Sequence, residues 1–128
     1  MKIRDIYIFG NPDLPADSLP LKILPELRNK FPQLQFEVKD PNEEWDVPEE
    51  LTIIDTVEGI EKVTIFDDLA KFVRVPRLTL HDFDALSNLL YLQKLGKLKK
   101  IKIIGLLPMA PPDEVLKVVS AILSANQL

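Results

Sequence analysis

The sequence contains no cysteine. Disulfides, zinc–thiolate centres and thiol nucleophiles are excluded together. Glycine is almost as scarce, at four residues, and this bears on phosphate binding. The stretch "FGNPDLPADS", residues 9–18, has one glycine where a dinucleotide fingerprint needs three, and it lacks the Gly-Lys-Ser/Thr of a P-loop. Its prolines carry no N–H to hold phosphate oxygens, and its aspartates repel them. A phosphate cradle is rejected. No apolar run approaches the roughly 20 residues that span a bilayer, so no membrane segment is expected. The opening "MKIRDIYIFG" is charged through its first half and too short for a signal peptide. A cytoplasmic protein is expected. Excess positive charge is missing too. The formal net charge is −4, which argues against nucleic acid, whose phosphates need clustered basic groups. The basic run Lys94–Lys102 is the local exception, and it is expected to straddle a helix end and a strand start, where lysines suit the helix dipole.

What is present suits a soluble globular chain. It has 128 residues, 46% hydrophobic and 28% charged, enough for a real core within one domain covering residues 1–128. "IRDIYIFG" predicts a buried strand over residues 2–9. In "SLPLKILPELRNKF", Leu19, Ile23, Leu24, Leu27 and Phe31 recur at helical spacing, with Ser18 as N-cap and Pro20 in the first turn. Pro25 is expected to kink or split that helix. "LQFEVKD" alternates as a second strand ending at Asp40, and the acidic connector "PNEEWDVPEE" follows, with Trp45 expected to plug the core edge. "LTIID" runs apolar like a central parallel strand covered on both faces. "KVTIF" and "VRVPRLTL" are further strand candidates, the second at an edge or broken by its proline. "DALSNLLYLQKLG" predicts a helix with Leu86, Leu89, Leu90 and Gln93 on one side and Gly96 as its C′ stop. "KIKIIGLLP" predicts a strand. "PPDEVLKVVSAILSA" predicts a last helix with Val115, Val118, Val119 and Ile122 buried. No helix promises an exposed apolar face, so a monomer is expected. Strands alternating with helices give an α/β fold, a three-layer α/β/α sandwich on a mostly parallel sheet.

Three polar residues fall at predicted strand ends. Asp17 lies after the first strand, Asp55 closes "LTIID", and His81 closes "RLTL" and opens the next helix. If the strands are parallel, all three lie along the carboxyl edge, where open α/β sheets bind ligands. Two carboxylates and one imidazole suit a divalent metal such as zinc, nickel, iron or manganese. Each residue also has a plain structural explanation. Asp17 could cap a helix, Asp55 could stabilise a turn, and His81 could be a hydrogen-bonded surface residue. Asp40 and Glu58 are possible neighbours, either able to act as general base or hold water, with a solvated loop position the simpler fate of Glu58. Ser18 has no nucleophile elbow and no partner histidine in view, so nucleophilic catalysis is not supported.

In this order the residues resemble the hydrogenase maturation protease family. That family opens with a strand, Gly-Asn, and an acidic residue six positions after the Asn, as Gly10-Asn11 and Asp17 do here. A second acidic residue ends an apolar strand before a small residue, as in Asp55-Thr56. A histidine precedes an amphipathic helix, as His81 does, and a later strand runs into "IIGLLP". Ile8, Ala16, Ser18, Pro20 and "DPNE" at residues 40–43 depart from the family pattern, which marks a divergent, compact branch. The resemblance implies a phosphorylase/hydrolase-like α/β/α sandwich. It implies an endopeptidase that removes the C-terminal extension of the nickel-iron hydrogenase large-subunit precursor after nickel insertion. Asp17, Asp55 and His81 would then bind the metal, and Asp40 would stand as a further catalytic candidate. The nickel would belong to the substrate, other divalent metals being able to substitute. Because a neutral imidazole is needed, metal binding is expected to weaken below about pH 6 to 7. The alternative is a non-catalytic metal-binding or assembly-partner module of the same fold.

Overall fold

The computed structural model describes residues 3–40, 46–70 and 80–127, with residues 80–85 described by their backbone alone. Among the described residues, five strands form one sheet in the order β2-β1-β3-β5-β4. They are β1 (Asp5–Ile8), β2 (Gln35–Val38), β3 (Glu50–Thr56), β4 (Thr64–Phe66) and β5 (Lys100–Leu106). β1 pairs in parallel with β2 and β3, and β3 pairs in parallel with β5; β4 lies antiparallel at the edge of β5. Among the described residues three α-helices are bounded: α1 (Leu19–Lys30), α2 (Leu80–Lys94) and α3 (Pro112–Ala125).

Strand alternation sorts the core into two halves. Ile6, Ile8, Ile54, Ile104 and Leu106 pack with Ile23 and Leu27 of α1 and with Val115 and Val119 of α3. Tyr7, Leu51, Ile53, Ile101 and Ile103 pack with Leu86, Leu89 and Leu92 of α2 on the opposite face. Helices therefore cover both faces, and the expected α/β/α sandwich is realised. β3 carries apolar residues on both faces because it is central, and residues 51–56 are all buried.

Several local expectations need correction. β1 is shorter than residues 2–9, and Ile3 donates its backbone N–H to Asn126 O instead of joining the sheet. β2 stops at Val38, two residues before Asp40, although Lys39 N–H still reaches Ile8 O. Pro25 does not split α1, which runs unbroken to Lys30. The ring of Pro25 is exposed, and the proline deprives one carbonyl, that of Leu21, of its helical donor. Ser18 stands at the N-cap of α1, but its hydroxyl donates to Pro15 O at 3.2 Å and caps no N–H.

α2 begins at Leu80, four residues before the predicted start, so His81 lies inside its first turn. Leu90 and Gln93 are exposed; the buried row is Leu86, Leu89 and Leu92. With Tyr91 and Leu95 also exposed, an apolar helix surface exists after all, and the ground for expecting a monomer falls away. In α3, Val118 is 44% exposed, and the stripe is Val115, Leu116, Val119 and Leu123. At roughly 100° per residue, Val118 lies more than a quarter-turn off the centre of that stripe, and Ile122 lies at its margin. The strand predicted in "VRVPRLTL", residues 73–80, lies outside the described residues except for Leu80, which belongs to α2, and Trp45 lies outside them as well.

Candidate active site at the carboxyl edge of the sheet

Gly10 and Asn11 follow β1 and turn the chain towards a 3-10 turn at Pro15–Asp17. Asn11 N–H donates to Asp17 O at 2.8 Å, and Asp17 N–H donates to Leu14 O at 2.9 Å. Within the loop, Asp13 N–H bonds Asn11 Oδ1 at 3.0 Å. Pro12 and Pro15 fix their own φ angles, so the loop is closed by hydrogen bonds and stiffened by rings. Gly10 is required here for room. A Cβ at this position would stand 2.9 Å from Asp17 O, closer than a side-chain carbon tolerates against backbone. The Gly-Asn pair is thus a seat for the Asp17 backbone.

The Asp17 side chain meets the end of β3. Thr56 Oγ1 donates to Asp17 Oδ1 at 2.7 Å, across 39 residues of sequence. Thr56 is the last residue of β3 and is 7% exposed, while Asp17 is half-buried. Among the described residues, Asp17 Oδ2 takes no hydrogen bond and remains available as a donor to a cation.

Asp55 immediately precedes Thr56 and is 6% exposed. By strand alternation it shares a face with Ile53 and Val57, the face that α2 covers. Its register partner on β5 is Gly105. A Cβ on Gly105 would stand 3.0 Å from Val57 Cγ2 and 3.1 Å from Phe66 Cε2, so those two apolar groups close over the glycine beside the carboxylate. Val57 N–H, bonded to Leu106 O at 2.8 Å, continues the β3–β5 pairing past Asp55.

His81 is the second residue of α2. This 15-residue helix is about 22 Å long and ends at Lys94, shortly before β5 starts at the amino edge. Its first turn accordingly lies towards the carboxyl edge, on the Asp55 face of the sheet. The structure brings the Asp17 side chain onto Thr56 at the end of β3, on the face opposite to Asp55 by strand alternation. The first turn of α2, with the His81 backbone, lies towards that edge on the Asp55 face. The His81 side chain is outside the described residues. Among the described residues, no three histidine or carboxylate side chains form a metal cluster.

The other candidates sit elsewhere. Asp40 is exposed beyond the end of β2, and β1 intervenes between β2 and β3, a separation of about 10 Å. Glu58 is half-buried two residues after β3, not on a solvated loop. Thr56 is the residue that sequence reading passed over. Its signal was only that a polar β-branched residue ends an otherwise apolar strand.

The basic run behaves as a structural feature. Lys99 pairs with Glu49 at 3.4 Å and Lys100 with Glu50 at 3.7 Å, at the amino edge of the sheet. Lys102 Nζ donates to Asn126 Oδ1 at 2.8 Å. These lysines lie at the opposite end of β3 and β5 from Asp17 and Asp55. Among the described residues, no helix is long and apolar enough to cross a membrane.

No protein-family model matches the chain, and no curated protein matches it in sequence. Its fold is nevertheless similar to solved structures. One is the hydrogenase maturating endopeptidase HybD from E. coli, at a TM-score of 0.63 and 18% identity, covering 96% of this chain and 93% of that one. Another is the Hydrogenase 3 maturation protease, at 0.59 and 17%, covering 94% and 89%. A third is the endopeptidase HycI from Escherichia coli, at 0.59 and 14%, covering 98% and 90%. At these identities the likeness is one of fold, and it extends nearly end to end.

Proposed function

We propose that this chain is a processing endopeptidase of hydrogenase maturation. It removes the C-terminal extension of the nickel-iron hydrogenase large-subunit precursor, and it acts after nickel has been inserted. Asp17, Asp55 and His81 recognise that nickel, which arrives with the substrate. One observation carries the proposal. The loop after β1 delivers Asp17 to Thr56, the last residue of β3 and the sequence neighbour of the buried Asp55, in a fold similar to that of maturation endopeptidases along almost the whole chain.

The donor chemistry agrees. Asp17 offers Oδ2, Asp55 offers a carboxylate in a largely dry setting, and His81 supplies a borderline nitrogen, a set suited to nickel or a similar divalent ion. Three protein ligands leave coordination positions for groups of the substrate. A metal so held polarises a neighbouring carbonyl as a Lewis acid. The chain's own residues hold the ion and orient the peptide around it. Asp40 remains a candidate for handling water, from the far side of β1.

Incubating the purified chain with a nickel-loaded large-subunit precursor is the test. Prompt shortening of the precursor, abolished in Asp17→Ala and absent with nickel-free precursor, is the expected result. Stable association with no shortening at long incubation would identify a non-catalytic assembly partner instead.

A further inference from the structure

We infer that Thr56 is the positioning residue for Asp17, holding its carboxylate so that it binds the substrate's metal through Oδ2 alone. The inference rests on the metal-recognition reading above and adds to it a residue and a mode of ligation.

The two residues differ in how firmly each is held. Asp17 ends a short 3-10 turn on a loop, and a side chain there has rotamer freedom that a metal site must restrict. Thr56 belongs to the central strand, paired on one side with Leu106 of β5. Its β-branched side chain has few χ1 choices, and burial forces its hydroxyl to find an acceptor. The 2.7 Å bond to Asp17 Oδ1 therefore transfers the order of the sheet to the loop carboxylate. Hydrogen bonds to an ionised acceptor are shorter and stronger than neutral ones, and the same contact fixes the carboxylate plane.

Occupation of Oδ1 also selects how the carboxylate ligates. Chelation through both oxygens would require Oδ1 to leave its hydroxyl donor or share itself with the ion. Oδ2 takes no hydrogen bond from the described residues, and monodentate ligation through it leaves the Thr56 contact intact. Partners of this outer kind orient ligands, and their loss commonly lowers metal affinity about 10- to 100-fold.

The test uses Thr56→Val, which keeps the shape and removes the hydroxyl, and Thr56→Ser, which keeps the hydroxyl. Nickel and cadmium affinities are measured by calorimetry on the full chain. The Asp17 χ1 population is measured by NMR couplings without metal. Thr56→Val is expected to weaken metal binding about 10- to 100-fold and to let Asp17 average among rotamers. Thr56→Ser is expected to retain both the affinity and the single rotamer. Equal losses in the two variants with Asp17 still in one rotamer would overturn the inference, since Thr56 would then matter only as packing. An unchanged affinity and rotamer in Thr56→Val would overturn it as well. Wild-type chain that binds no metal at millimolar concentration would instead remove the metal-recognition reading, while the rotamer measurement would still decide whether Thr56 orders Asp17.

Discussion

Tyr7 shows how much one side chain holds beside the candidate site. It is buried on the α2 face, and its hydroxyl donates to Asp46 O at 2.6 Å, pinning the start of the segment that leads into β3. Lys39 Nζ lies 5.2 Å from the ring centroid. Burial raises the Tyr7 pKa above its ordinary 10.0, with Glu37, Asp5 and Asp46 adding repulsion. The folded chain thus holds the phenolic proton more tightly than the unfolded chain does. The associated stability is complete below pH 10.0 and is lost as pH rises through the higher folded value. Tyr7→Phe is expected to cost about 1 kcal/mol at neutral pH by deleting the hydrogen bond. It is also expected to show a shallower loss in strong alkali, as urea midpoints at neutral and alkaline pH would measure. An equally steep alkaline loss in the variant would place the titrating group elsewhere. Chemistry-bearing residues of this size are only partly legible in a sequence. Asp17, Asp55 and His81 stood out because ligand-type side chains followed the first strand, closed an apolar strand or opened a helix, and because the histidine is single. Thr56 did not, because its importance lies in a contact made 39 residues away.

Among the elements, strands and helices were legible wherever one periodicity dominated. The five buried residues predicted from Leu19 to Phe31 are all buried, and Gly96, at φ 76°, terminates α2 as expected. Lys97 N–H bonds Leu92 O and Gly96 N–H bonds Gln93 O, the paired closure that a left-handed residue at C′ allows. Misplacement occurred where apolar residues outnumber the buried positions. Leu90 and Val118 look like core by type, yet the sheet beneath each helix covers a narrower stripe. The loop at residues 10–18 behaves as an element in its own right, and Gly10 is the residue on which its closure depends. Gly10→Ala forces a Cβ against Asp17 O. The expected outcome is a stability loss of about 1 to 3 kcal/mol from overpacking, together with a weaker metal affinity because Asp17 is displaced. Chemical denaturation and metal titration of the same sample check both. Retention of wild-type affinity would mean that the loop seat does not govern the carboxylate.

At the scale of the molecule, a mostly parallel sheet sends the ends of β1, β3 and β5 to one edge, where the loop after β1 carries Asp17, the end of β3 carries Asp55 and β5 runs out through the "GLLP" segment. The opposite edge holds the ion pairs of Glu49 and Glu50 with Lys99 and Lys100. Fold class was readable because alternating strands and helices with short connections admit few arrangements. The convergence of distant side chains was not readable in that way, since it depends on loop paths that periodicity does not encode. The most direct test is anomalous diffraction from crystals of the chain soaked in cadmium. The proposal predicts one strong peak coordinated by Asp17 Oδ2, the Asp55 carboxylate and the His81 imidazole, with Thr56 still bonded to Asp17 Oδ1. Peaks confined to other surface carboxylates, with His81 directed away from Asp17 and Asp55, would contradict it.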